Sequence, residues 1–517
     1  MTPRRDGARE GGHAMKAPDV LAFDLGAGSG RAFVGEWREE AGTGGPTIRM
    51  TEIHRFPNDM IRVRGRLHWD VLRLHHEMKQ AIRKTFAAGF APESFGIDTW
   101  GVDFGLLDAH GELAGHPYHY RDSQTEGAIP EVCGLIGRDE LYRRSGLQFM
   151  PFNTIFQLHA MKKRGAPALG TARRLLLMPD LLMYLLTGHQ ACEWTIATTT
   201  QLIDPSTGAW NTDWMERIGV PPEWFSAPVP PGTPAGRLLP EIREELGGVP
   251  PMLGIAVASH DTESAAVAVP AVGGEFAYLS CGTWSLLGTE LDRPLVTQET
   301  MALEFSNEGG AGGKFQLLKN IMGLWLLEEC RREWTEAGEE AAYPELIAAA
   351  EEAEPLRSLI DPDDVRFYPP GRMTERIADY CRETGQPVPD TKGRFVRCVL
   401  ESLALRYRET LESMEAVTGR SFRGLHIVGG GSRNALLCRL TARAIGRPVW
   451  AGPVEASALG NMLVQWMALG AIGGLAEARR LVAASFPVDA FEPDDSGNWS
   501  EAYDRYRKTV ETTRRSV

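Results

Sequence analysis

Short apolar runs broken by glycine turns alternate along the chain with longer stretches whose apolar residues recur at helical spacing. This is the pattern of a mixed α/β protein. The first run, "FDLGAGSGRAFVGEW" (residues 23–37), puts Asp24 at the end of a strand, then a glycine-rich turn, then a second strand with Phe33 in its middle. The turn lacks the Gly-Lys-Ser/Thr of a Walker loop. From Gly26 it reads G-A-G-S-G-R, one residue too tight for G-x-G-x-x-G. A strand follows it, not a helix, so the segment reads as a β-hairpin whose tip offers backbone N–H groups to an anion. An ordinary Gly-Ser hairpin turn carries the same local signature.

The pattern returns about half a chain later. "GEFAYLSCGTWSLLGTEL" (residues 274–291) again predicts strand, small polar turn and strand. A third element, "LHIVGGGSRNALLCRLTARAIG", predicts a strand, three glycines and a helix with Leu436, Leu437, Leu440 and Ala444 on one face. Glycines at such a junction suit close approach of a flat or anionic ligand. "DVLRLHHEMKQAIRKTF", with Asp70 as its N-cap, and "RFVRCVLESLALRYRETLESMEAV" predict plain packing helices. The proline-rich passage "VPPEWFSAPVPPGTPAG" reads as a connection, after which a strand over 253–259 delivers His260 and Asp261 to a helix start. These features predict a disordered extension at 1–16, one domain over 17–257, a second over 258–493, and a charged helical segment at 494–517. Two α/β halves that each lend a hairpin to a shared cleft make up the architecture of actin-like ATPases and sugar kinases.

Composition narrows the partners. The 517 residues exceed one ordinary core, and 43% hydrophobic with 24% charged residues is globular. A net charge of −13 argues against a nucleic-acid surface, while leaving room for ATP if backbone N–H groups and a metal neutralise its phosphates. The longest apolar stretch, "LLLMPDLLMYLLTG", is broken by Pro179 and Asp180, so no membrane span is expected. Seven scattered cysteines form no metal pattern and suggest a reducing cytoplasm; Cys381 and Cys398 are placed to meet only if the fold brings them together.

Asp24 and Asp261 are the carboxylates at strand ends in the two halves. Phosphoryl transfer needs phosphates held, charge neutralised by Mg²⁺ and the attacking hydroxyl aimed in line. Asp24 suits water-linked Mg²⁺, and Asp261 suits the acceptor of a hydroxyl proton. A helix N-cap for Asp261 and a core histidine for His260 remain the plain alternatives. In "FGIDTWGVDFGLLD", Asp98, Trp100 and Asp103 interrupt an apolar strand with the polar and aromatic mix of a sugar pocket; local turn bonding is the alternative there.

Together "DLGAGSGR", "GIDTWGVDF", "YRDSQT", "RRSGLQFMPFNTIFQL", "ATTTQLID", "VASHDTESA", "GTWSLLG", "LKNIMGLWLLEEC", "HIVGGGSRN" and "AGPVEASALGN" resemble the FGGY carbohydrate kinases from about residue 18 to about 475. "GIDTWGVDF", "ASHDT" and "LKNIMGLWLL" favour the branch acting on L-rhamnulose. The resemblance implies a two-domain actin-like (ribonuclease H-like) ATPase fold with an interdomain active-site cleft. It also implies transfer of the ATP γ-phosphoryl to the C1 hydroxyl of a ketose, L-rhamnulose first, with L-fuculose, L-ribulose or D-xylulose as alternatives. By the same likeness Ala27, Gly28, Ser29, Gly30 and Arg31 form the first phosphate loop, Thr283 lies in the second, and Gly430 sits beside adenosine. Glu328 falls at a further nucleotide position. Gly101, His260, Asp261, Thr262 and Asn320 line the sugar, with Asp261 as proton acceptor. Two positions depart from the family pattern: Cys281 replaces a frequent Ser, and Glu328 stands where Gln also occurs. A cytoplasmic monomer or homodimer is expected. A sugar-independent actin-like ATPase has no obvious use for the His260–Asp261 pair or the Trp100 segment, and a sugar-responsive repressor on the same fold would need a basic DNA-binding module that the acidic chain does not offer.

Overall fold

The computed structural model describes residues 17–39, 45–273, 275–494 and 497–514. The expected extension at 1–16 lies outside them. Two mixed sheets form the framework. The first has six strands in the spatial order Thr233–Arg237, Leu253–Ala256, Ser94–Thr99, Val20–Leu25, Ser29–Glu39 and Pro46–Pro57. The second has seven: Ser306–Gly309, Phe315–Met322, Trp284–Leu291, Ala277–Cys281, Leu425–Val428, Val449–Ala451 and Asp489–Phe491.

The two sheets repeat one plan. In each, a glycine-turn hairpin pairs antiparallel, its first strand then pairs parallel with a strand from later in the chain, and that strand pairs parallel with another. Val20–Leu25 and Ser94–Thr99 are buried at every position, as parallel strands covered on both faces must be. The hairpins expected from the sequence stand where the pattern put them. So does the helix Val71–Ala87, whose Asp70 side chain accepts the N–H of Arg73.

Helices fill the space between the sheets. Asp261–Val267 packs on Ala456–Ala468, and the latter lies against the strands Val20–Leu25 and Ser94–Thr99. Late chain therefore covers the early sheet. The apolar cluster at this junction takes Val20, Ala22, Ala265, Tyr278, Val428 and Met462 from both halves. A satellite core within residues 104–225, including Phe156, Ile196 and Trp214, builds the outer wall of the cleft.

Two expectations need amending. The proline-rich passage is not a bare connection: residues Thr233–Arg237 form an edge strand of the first sheet, where Pro234 is tolerated. The strand expected over 253–259 leaves the sheet after Ala256, because residues 257–259 turn to meet the helix. The C-terminal helix Trp499–Arg514 packs on the body, with Trp499, Tyr503 and Tyr506 buried. No helix among the described residues is long and apolar enough to cross a membrane.

Candidate active site

Both hairpin tips and the glycine turn after Leu425–Val428 open on one cavity of about 360 Å³ between the sheets. In the first tip, Gly26 N–H donates to Ser29 O at 3.0 Å, and Asn58 takes the carbonyls of Gly26 and Gly28. Ala27, Gly28, Ser29 and Arg31 line the cavity. Gly30 does not; a Cβ there would meet the Phe56 ring at 2.2 Å, so this glycine serves packing. In the second tip, the carbonyls of Gly282 and Thr283 accept the N–H groups of Leu324 and Trp325 at 3.1 Å, seating the hairpin on a helix start. The third turn lies directly on the second. A Cβ on Gly431 would fall 2.2 Å from Cys281 Sγ, and the carbonyl of Cys281 crowds Gly429, which has φ 83°. Burial pushes the Cys281 thiol up to about 11, so it stays neutral.

Strand register assembles the charges. Asp24 lies opposite Arg31 across the hairpin and beside Asp98 on the parallel neighbour. Arg31 Nη2 is 2.8 Å from Asp24 Oδ2, and its other nitrogen pairs with Glu455 from the far half. Burial raises the Asp24 carboxyl, with Arg31 opposing; burial and then the Asp24 charge hold Asp98 well above the ordinary value. Asn461 Nδ2 donates to Asp98 Oδ2 at 2.7 Å, whereas Asp98 Oδ1 has no hydrogen-bond partner among the described residues. A carboxylate at the cavity wall, backed by a second carboxyl with a spare oxygen, fits a hydrated divalent cation.

On the opposite wall Asp261 opens the helix Asp261–Val267, with His260 in the N-cap position. The Asp261 side chain is 28% exposed to the cavity. Its carboxyl is raised by burial, against the lowering effect of His260. Its Oδ1 lies 3.6 Å from His260 Nε2 and accepts from Thr262 Oγ1 at 3.3 Å. Burial alone would depress the His260 imidazole, but the charge of Glu308, 2.9 Å from Nδ1, carries it above the ordinary histidine value. Asn320 and Gly101 complete this side of the cavity, with Trp100, Phe152 and Trp284 as its aromatic surface.

Of the supporting residues, Gln148 and Glu193 have no role in the sequence reading; Asp103 has one there, as part of a sugar pocket or a local turn. Gln148 spans the halves: its Oε1 accepts Asn320 N–H at 3.0 Å, and its own N–H reaches Ser306 Oγ at 3.1 Å. Glu193 caps the helix Trp194–Thr198 and also accepts Ser259 N–H at 3.1 Å, while Thr195 Oγ1 accepts His260 N–H. Burial raises the Glu193 carboxyl to about 7. Asp103 accepts Trp69 Nε1 at 2.6 Å, Trp100 Nε1 at 2.9 Å and Gln157 Nε2 at 2.8 Å, and so fixes the stacked Trp69–Trp100 pair. The available signal was a set of amides and carboxyls inside apolar runs, but their partners lie far away in sequence. Glu328 sits outside the cavity wall, on the helix Trp325–Glu336, with its carboxylate 2.7 Å from Arg331 Nη1.

Known proteins share this plan. The N-terminal domain model of the FGGY family of carbohydrate kinases matches residues 20–268, and the C-terminal domain model matches 277–469. The rhamnulokinase of Bacteroides thetaiotaomicron is 46% identical over 494 residues, 95% of this chain and 99% of that protein. That of Halalkalibacterium halodurans is 41% identical over 92% of this chain and 99% of its own. Among solved structures, gluconate kinase from Lactobacillus acidophilus superposes with a TM-score of 0.74 at 15% identity, covering 96% of each chain. Plasmodium falciparum glycerol kinase with ADP gives 0.70 at 15% identity, covering 96% of this chain and 98% of that one. The two domain models together cover most of the chain, which belongs to the FGGY family of carbohydrate kinases.

Proposed function

We propose that the protein phosphorylates L-rhamnulose at its C1 hydroxyl with ATP, giving L-rhamnulose 1-phosphate and ADP. The observation that carries this reading is the similarity, 40–46% identical over more than nine-tenths of the chain, to proteins that are all rhamnulokinases. The sugar enters between Trp100, Gly101, Asn320 and the His260–Asp261–Thr262 turn. The ATP phosphates lie against Ala27, Gly28, Ser29 and Arg31 and against Thr283, with Gly430 beside the adenosine, while Gly30 packs on Phe56 beneath the tip.

Asp261 accepts the C1 hydroxyl proton at its carboxylate as the oxygen attacks the γ-phosphorus and ADP leaves. Its raised pKa makes it a stronger base than a solvent-exposed aspartate. His260 and Thr262 restrict the carboxylate to one orientation. Arg31 and the hairpin N–H groups stabilise charge on the transferred group, and the two halves close to exclude water. Mg²⁺ bound with ATP would be held through water by Asp24, neutralising phosphate charge. The described cysteines are all free thiols, which supports a cytoplasmic enzyme; we place it there as a monomer or homodimer.

The test is ADP release with Mg-ATP and L-rhamnulose, L-fuculose, L-ribulose, D-xylulose, glycerol or no sugar. The highest kcat/KM is expected with L-rhamnulose. Preference for another ketose would retain the kinase and replace the substrate, and turnover without sugar would overturn the reading.

A further inference from the structure

Next to Asp261, His260 and Glu308 reach the cavity wall and Glu263 lies buried behind them; of the three, only His260 has a part in the proposed phosphoryl transfer. His260, Glu263 and Glu308 come from the end of one segment, the helix it starts and the strand Ser306–Gly309. One ligand atom of each lies within 4.8 Å of the other two. All three are buried, Glu263 to 1% exposure. Neither oxygen of Glu263 has a hydrogen-bond partner among the described residues, and neither do Glu308 Oε2 and His260 Nδ1. Those last two atoms are 2.9 Å apart yet lack hydrogen-bond geometry. Gln316, opposite Glu308 in the strand register, leaves its Oε1 unpartnered as well. The neighbouring cation, Arg479, is engaged elsewhere, 2.7 Å from Glu290 and donating to Ala266 O.

Buried carboxylates stay charged only when paired or bound to a cation, and otherwise hold a proton, the direction in which burial pushes Glu263. We infer that His260 Nδ1, Glu263 and Glu308 form a metal site for a divalent transition cation of the Mn²⁺ or Zn²⁺ type, distinct from the magnesium that accompanies ATP. One imidazole and two carboxylates are a poor set for Mg²⁺ or Ca²⁺, which prefer oxygen alone, and a good one for first-row transition ions. Binding through Nδ1 fixes the tautomer that carries its proton on Nε2, the atom facing Asp261. The ion therefore has a structural role in orienting His260.

The experiment uses the full chain without nucleotide. Bound metal is measured by elemental analysis and by Mn²⁺ titration in wild type, Asp24→Asn and Glu263→Gln, and the bound Mn²⁺ is examined by electron spin-echo modulation. About one ion per chain, an imidazole-nitrogen coupling retained in Asp24→Asn, and affinity weakened more than about tenfold in Glu263→Gln are expected. Absence of nitrogen coupling in wild type, equal affinity in Glu263→Gln, or no metal bound at all would overturn the site. In the last case Glu263 and Glu308 share a proton instead. The wild-type spectrum decides the matter even if Glu263→Gln does not fold.

Discussion

Gly460 faces the carbonyl of Ser264 so closely that a Cβ would lie 1.7 Å from the oxygen. This contact joins the helix Ala456–Ala468 to the helix Asp261–Val267, whose first residue is the proposed base. The following residue, Asn461, reaches Asp98 on the first sheet. A single stretch of late chain thus sets the distance between the Asp261 wall and the phosphate hairpin.

Gly460→Ala is therefore expected to push these helices apart. Forcing atoms into a packed core costs about 1–3 kcal/mol, which for a chain of this length is a fall in melting temperature of roughly 1–3 °C. The same displacement should lower kcat more than it raises either KM. Thermal melts and steady-state kinetics check both, and a variant with wild-type melting and turnover would contradict the contact.

Asp261→Asn keeps the size of the side chain and removes the proton acceptor. Turnover is expected to fall by about 10²–10⁴-fold while KM for the sugar changes little. Near-normal turnover would assign the proton to another group.

Much of this site was legible because the signals are local. An apolar run, a small turn and another apolar run mark a hairpin wherever they occur, so both hairpin tips at the cavity could be placed. Asp24 and Asp261 were visible as carboxyls at the ends of apolar strands. Gln148, Glu193 and Asn461 were not visible in that way. Their partners, Asn320, Ser259 and Asp98, lie 172, 66 and 363 residues away, and nothing in local periodicity reports such pairings. The placement of the helix Ala456–Ala468 beneath the first sheet was hidden for the same reason: its sequence reads only as a buried helix.

Gln148 holds the backbone of Asn320 from the opposite half, so its loss should act on sugar binding in the closed cleft. Gln148→Leu leaves the Asn320 N–H without this acceptor, a cost of about 1–3 kcal/mol. A decrease of roughly tenfold or more in kcat/KM for the ketose is expected, with KM for ATP unchanged. Equal loss toward ATP would mean the contact serves the fold and not the sugar side.

Asp103 offers a test by pH. Burial raises its carboxyl from 3.8 to about 7, against hydrogen bonds from Trp69, Gln157 and Trp100 that lower it. The folded state therefore keeps a proton that the unfolded chain has already released between those two values. Stability from this group is fully present below about pH 4 and is lost as pH rises through about 7. Asp103→Asn retains an acceptor for the tryptophans but cannot ionise. Relative to that variant, wild type should lose melting temperature as pH rises from 5 to about 7 and level off above that. Glu193, raised in the same direction, is present in both proteins and cancels in the difference. Parallel curves for the two proteins would show that Asp103 is ionised in the fold throughout. The stacked tryptophans would then be held by a charged carboxylate and not by a neutral acid.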